Sequence, residues 1–213
     1  MKSSVNPSKK TKSRILSTAL RLFNELGLSQ VTLRSIAKEM GISQGNLCYH
    51  FKKREAILEA LYYQLVALMD EVVAKMATAP PSLKTAFLTS KEMMEQFYAY
   101  RFFMLDFVQI MRENEVIHKH YQQLSQLREQ QFKGMFQLWI KEGLMRSEEF
   151  EGEYNNLLLR SNILGNFWLS SIIVTQALSI ELVREYSKVV FQNIYPYLTS
   201  KGKLEFHTLN QLI

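Results

Sequence analysis

Between Thr32 and Phe51 the chain reads TLRSIAKEMGISQGNLCYHF, two short helical patterns joined by a glycine, and no other run constrains the fold as tightly. Leu33, Ile36, Ala37 and Met40 recur at i, i+3, i+4 and i+7, so the first pattern predicts a helix with one buried face. Thr32 stands before it as an N-cap, its hydroxyl able to accept an orphan amide of the first turn. Gly41 falls where the chain must turn, because glycine alone enters positive φ without steric cost. Ile42 can plug that corner, Ser43 can cap the second helix, and Leu47 and Phe51 supply its inward side. Ala37 lets the two helices cross closely. Together these features are the grammar of a helix-turn-helix, which lays its second helix in the major groove of DNA.

Charge supports that reading. Residues 1–55 carry eleven Lys/Arg against three Glu, a net of +8, and the remainder carries fifteen against seventeen, a net of −2. A basic head over a helix-turn-helix is the footprint of phosphate binding. The run MKSSVNPSKK is charged without an apolar core, unlike a signal peptide, and reads as a flexible basic arm. Cys48 is the only cysteine, which excludes an internal disulfide and a cysteine-based zinc cluster and suits a reducing cytoplasm. From Ser161 to Ser179 no charged residue occurs, so a membrane span must be weighed. Polar residues recur there every four positions (Asn162, Asn166, Ser170; Ser171, Thr175, Ser179), which favours a buried helix with two apolar faces over a span.

Helical periodicity runs nearly end to end, with four prolines and eight glycines to interrupt it, and predicts an all-α protein. The expected division is a DNA-binding domain over 1–55, arm included, and a helical ligand-binding and dimerisation domain over 56–213. A long helix at about 54–78, ended by Pro80-Pro81, is shared between them. Further helices are expected near 82–98, 100–113, 115–143, 152–178, 181–198 and 203–211.

The early residues of a recognition helix meet base edges. Here these are Ser43, Gln44, Gly45 and Asn46, and Gln and Asn can each make the paired hydrogen bonds that adenine offers. Gly45 would let the backbone approach closely. Tyr49 and His50 can donate to phosphate on the same side. Lys52, Lys53 and Arg54 stand at the start of the next helix, where cations oppose the dipole unless an anion binds there. Arg34, on the first helix of the pair, joins the DNA-binding candidates.

The LFNELG of the first helix, TLRSIAKEMGISQGNL and HFKKREAIL together resemble the DNA-binding domain of TetR-type bacterial transcriptional regulators across residues 13–58. The resemblance implies a homodimeric repressor that binds a palindromic operator and releases it when a small molecule enters the body. It also implies that Thr32 meets phosphate through its amide and hydroxyl, that Gln44, Gly45 and Asn46 face bases, and that Tyr49 and His50 lie on the backbone. Arg54 stands where the family usually has lysine and is expected to keep a phosphate contact, with Lys53 beside it. Cys48 departs from the pattern, which commonly has an aromatic residue there.

In the body, MMEQFYAYRFFMLDF packs six aromatics and three methionines into fifteen residues, 93–107. Pockets for small molecules are lined by such side chains. The nominated lining is Phe97, Tyr100, Arg101, Phe103, Met104 and Phe107, with Phe136 and Trp139 from one later helix and Phe167 and Trp168 from another. The same aromatics would also serve as plain core. An apolar or aromatic effector is expected. A homodimer surface is expected over about 152–198, where Gly165, Ser170 and Ser171 permit close approach and Ile172, Val174, Val183, Val190 and Phe191 supply apolar area. No cofactor, metal site or catalytic constellation is evident: His118 and His120, two apart, point to different faces of a helix. Two alternatives stay open, a DNA-binding regulator controlled by a protein partner and a helical scaffold that does not bind DNA.

Overall fold

The computed structural model describes residues 7–212; Met1 to Asn6 of the expected basic arm lie outside the described residues. Helix α1 (Pro7–Leu26) already begins within that arm. Proline has no amide hydrogen to leave unpaired in a first turn and its φ is preset for a helix. Residues 7–10 are therefore helical, a correction to the flexible reading. Gly27, at φ 81°, ends α1 and donates its amide to the Phe23 carbonyl at 2.9 Å. A 3-10 turn, Leu28–Gln30, leads into α2 (Leu33–Met40), α3 (Gln44–His50) and α4 (Arg54–Thr78).

Beyond the proline pair come α5 (Leu83–Ala99), α6 (Arg101–Leu105), α7 (Phe107–Glu113), α8 (Glu115–Lys141), α9 (Glu153–Ile173), α10 (Ile180–Gln192) and α11 (Ser200–Leu212). The single helix expected over 100–113 is broken at Asp106, and the one expected over 181–198 stops at Gln192, followed by a 3-10 turn at Tyr195–Tyr197 that contains Pro196. No strand occurs among the described residues; one antiparallel bridge pairs Met145 with Leu198. No described helix is long and apolar enough to cross a membrane.

Backbone proximity divides the chain into two units. The first joins the residues up to Ala67 with Tyr100–His118; the second joins Leu68–Ala99 with the residues from Lys119 onward. In the first, Ile15, Ala19, Phe23, Leu47, Ile57 and Leu61 form a core, and the Phe23 and Phe102 rings meet at 5.1 Å. In the second, α10 packs along α5, with Arg184 Nε 3.2 Å from Glu95 Oε1. A larger core gathers Phe87, Phe136, Trp139, Tyr154, Phe191 and Phe206, among others.

The second unit also holds a polar clasp. Arg146 donates both Nη1 and Nη2 to Glu153 at 2.7 Å, and Glu153 accepts the Glu149 amide at 2.9 Å. The Arg146 amide donates to the Tyr197 carbonyl at 2.9 Å, and its own carbonyl accepts the Tyr154 hydroxyl. The bidentate hydrogen bonds to Arg146 are the main reason the Glu153 carboxyl is lowered to about 2, and the same pairing raises Arg146 further above its ordinary range.

Candidate nucleic-acid interface

Each part of the helix-turn-helix is held by local bonds that its sequence specifies. Thr32 caps α2 in a reciprocal box: its hydroxyl accepts the Ser35 amide at 3.1 Å, and its amide donates to the Ser35 hydroxyl at 2.9 Å. The amide that the resemblance assigns to phosphate is satisfied within the chain. Gly41 is left-handed at φ 67°, and the amides of Gly41 and Ile42 reach the Lys38 and Ala37 carbonyls at 3.1 Å. Ser43 caps α3 by accepting the Asn46 amide at 3.1 Å.

The α3 helix is anchored on one side and open on the other. Leu47 is fully buried, while Ser43, Gln44, Gly45 and Asn46 are exposed and Tyr49 is 82% exposed. A Cβ built on Gly45 would meet nothing nearer than the Ser43 hydroxyl at 3.9 Å. The packing around it therefore does not require glycine there. His50 sits edge-on to Tyr49 with ring centroids 5.2 Å apart. Cys48 is a partly exposed free thiol on the same helix. Arg34, Lys52 and Lys53 are exposed, and Lys12 of α1 lies over the Phe51 ring at 5.2 Å.

Arg54 has partners inside its own unit. Its Nη1 donates to the Leu28 carbonyl at 3.1 Å and its Nε lies 3.5 Å from Glu55, so the guanidinium is largely engaged inside the unit. Sequence reasoning missed this because Leu28 is twenty-six residues away.

The residues nominated as pocket lining fall in both units. Tyr100, Phe103 and Met104 are buried in the first unit, where Phe103 stacks on Tyr62 with centroids 5.3 Å apart; Arg101 and Phe107 are partly buried there, with the Phe107 ring 6.0 Å from that of Phe103. In the second unit, Phe136 packs against Trp139 and Tyr154, Phe97 is partly buried, and Phe167 is 42% exposed. Trp168 is 2% exposed, and its indole N–H has no hydrogen-bond partner among the described residues. Among those residues, no group of three or more His, Cys, Asp or Glu is arranged to hold a metal.

The nominated dimer surface also changes. Ile172, Val183 and Phe191 are buried within their own unit and cannot face a partner. The exposed apolar row on α9 is instead Leu159, Ile163 and Phe167, spaced by four, with Ile173 and Val174 beyond and Val189 exposed on α10.

Residues 15–61 match the family model described as bacterial regulatory proteins, tetR family, and residues 64–206 match the one described as bacterial transcriptional repressor. The tetracycline repressor protein class D of Escherichia coli is 38% identical over 53 residues, 25% of this chain and 24% of that protein. The chain spans about a quarter of the length of the curated relatives it matches. A TetR-family transcriptional regulator from Marinobacter aquaeolei VT8 shares the fold with a TM-score of 0.85 at 20% identity, covering 94% of this chain and 98% of that one. A transcriptional regulator from Saccharomonospora viridis, solved in complex with choline, does so with a TM-score of 0.69 at 20% identity, covering 90% and 99%. With both of its parts matched, this chain belongs to the TetR family of bacterial transcriptional regulators, whose members are DNA-binding proteins rather than enzymes.

Proposed function

We propose that the protein is a cytoplasmic, ligand-responsive repressor that binds a palindromic double-stranded DNA operator as a homodimer and leaves it when a small apolar or aromatic molecule binds the body. The observation that carries the DNA part is α3, where buried Leu47 holds the helix and exposed Gln44, Gly45, Asn46 and Tyr49 face outward on a strongly basic head. Thr32, Ser43, His50 and Lys53 complete the contact set. Arg54 acts mainly from behind, by holding the Leu28 carbonyl.

One recognition helix covers too few base pairs for useful specificity, and two can read half-sites about one helical turn apart. The exposed row on α9, with Val189 of α10, supplies the dimer seam within the expected 152–198. Phe167 belongs to that seam rather than to a pocket. For the effector, Trp168 is the informative residue. A buried donor without a partner costs about 1–3 kcal/mol, a cost that an acceptor on an apolar ligand would remove.

Selection of bound duplexes from a random pool, followed by mobility shift against competitor DNA, tests the reading. A two-fold symmetric site bound by a dimer supports it, and failure to enrich any sequence overturns it. A thermal-shift panel of fatty acids, steroids, aromatic compounds and choline tests the effector. A compound that raises the midpoint and releases the selected DNA supports ligand control, whereas no shift across the panel favours control by a protein partner.

A further inference from the structure

The residues from Tyr100 to His118 belong to the first unit, yet their neighbours on both sides, Ala99 and Lys119, belong to the second. Within the first unit the segment is fastened by three side-chain hydrogen bonds, each to a different element. The Phe102 amide donates to Asn24 Oδ1 of α1 at 3.1 Å. Asp106 Oδ2 accepts the amide of Leu28, in the turn after α1, at 3.0 Å. Asn114 donates its Nδ2 to Glu59 Oε1 of α4 at 3.0 Å.

The middle bond stands out for what it holds. Leu28 is buried, and its peptide is gripped from both sides: Asp106 takes the N–H, and Arg54 gives a hydrogen to the C=O at 3.1 Å. Only Val31 separates the end of this 3-10 turn from Thr32, the cap of α2. Arg54 is the first residue of α4, three residues beyond the Phe51 that ends α3. The two side chains that clasp Leu28 thus brace the entrance and the exit of the helix-turn-helix against each other. The break between α6 and α7 falls at Asp106 itself, the residue whose carboxylate meets the turn.

We propose that Asp106 is a positioning residue for the recognition helix, and that the Asp106–Leu28–Arg54 clasp is the point at which the Tyr100–His118 segment sets the frame of α2 and α3. The inference rests on the DNA-binding reading above and adds a residue, outside the helix-turn-helix, that positions its recognition helix. A hydrogen bond of this length is lost with a displacement of about 1 Å, so a small shift of the segment releases the turn. Linkage is reciprocal: if the segment's grip favours DNA, then bound DNA must tighten the grip.

The test needs no effector. Hydrogen exchange is followed in the full-length protein with and without the duplex selected by the wild type. DNA should slow exchange in peptides covering Tyr100–His118, which contain no residue of α2 or α3, by about fivefold or more. Asp106→Ala should abolish that slowing and weaken binding to the selected duplex by about 5–20-fold, with unchanged binding to random DNA. Asp106→Asn keeps an acceptor oxygen and should restore both, so the proposal stays testable if the alanine variant folds poorly. Wild-type protein that binds the selected duplex with no change in exchange over 100–118 overturns the clasp and leaves DNA binding standing. Failure to select any duplex overturns the DNA reading and the clasp with it.

Discussion

Gly202, in the first turns of α11, sets two effects of opposite sign against each other. Helix propensity alone says that Gly202→Ala should stabilise the protein by about 0.5–1 kcal/mol. The packing says otherwise. A Cβ built there lies 2.1 Å from the Leu144 carbonyl oxygen, 3.0 Å from its carbon and 3.2 Å from Leu198 Cβ. Relief requires the helix or the Leu144 peptide to retreat by more than about 1 Å. Neither is loose. The Leu144 carbonyl accepts the Thr199 amide at 3.1 Å, the Thr199 hydroxyl donates to the Gly143 carbonyl at 2.6 Å, and the Gly202 amide donates to Thr199 Oγ1 at 3.1 Å. Stretching one or two such bonds costs about 0.5–1.5 kcal/mol each, and overpacking costs about 1–3 kcal/mol. The steric side wins, with a net loss of about 1–3 kcal/mol after the propensity gain is subtracted. For a chain of this size that lowers the melting temperature by roughly 2–10 °C. Urea denaturation of wild type and variant, with the m-value checked for constancy, measures it. Gly134→Ala in the middle of α8, where a Cβ would meet nothing within 4 Å, is the internal control and should gain about 0.5–1 kcal/mol. A Gly202→Ala protein as stable as the Gly134→Ala protein would refute the reasoning.

Three other perturbations address the head, the seam and the clasp of the body. Gln44→Ala with Asn46→Ala should cost at least about 1–3 kcal/mol against the selected duplex and leave binding to random DNA unchanged in mobility shift, whereas Lys53→Ala should weaken all sequences alike and reduce the salt slope by about 1. Ile163→Asp should convert the dimer to monomer in sedimentation at micromolar concentration, since it places a charge in the middle of the α9 row; a variant that stays dimeric moves the seam elsewhere. Glu153 is lowered from 4.5 to about 2 chiefly by its hydrogen bonds with Arg146, so its contribution to stability is fully present above pH 4.5 and fades as the pH falls toward 2. The stability gap between wild type and Glu153→Gln should therefore be larger at pH 6 than at pH 3 in urea titrations, and a gap that widens in acid would contradict the pairing.

What the sequence disclosed and what it withheld follow from the range of the interactions. The reading head was legible because its determinants are local: Thr32 caps three residues ahead, Gly41 turns the chain in place, and Leu47 faces inward by helical spacing. The break at Asp106 carried no proline or glycine to announce it, and its carboxylate answers an amide 78 residues earlier in the chain. Arg54 likewise finds a partner in the Leu28 carbonyl, 26 residues earlier, that no local pattern announces. On α9, periodicity reveals apolar stripes but not which stripe its own unit covers. Ile172 went inward while Ile163 and Phe167 stayed outside, because the packing of the second unit makes that choice. The aromatic run at 93–107 likewise shows its apolar character in the sequence but not which unit each ring joins. Phe102 and Phe103 serve the core of the first unit, though they lie well beyond the basic head in sequence.

That last placement governs how the protein is made. A ribosome finishes Ala67 and must add 51 more residues before His118, the end of the first unit, exists. At about 5–20 residues per second this takes about 3–10 s. During that interval Phe23 waits for Phe102, Tyr62 waits for Phe103, and the Leu28 amide waits for Asp106. The nascent head is thus an unfinished hydrophobic surface that closes only after α5, a helix of the second unit, has been synthesised. A gene fragment ending at Ala67 would encode the whole helix-turn-helix and still lack Phe102, Phe103 and Asp106, which complete the packing of its unit.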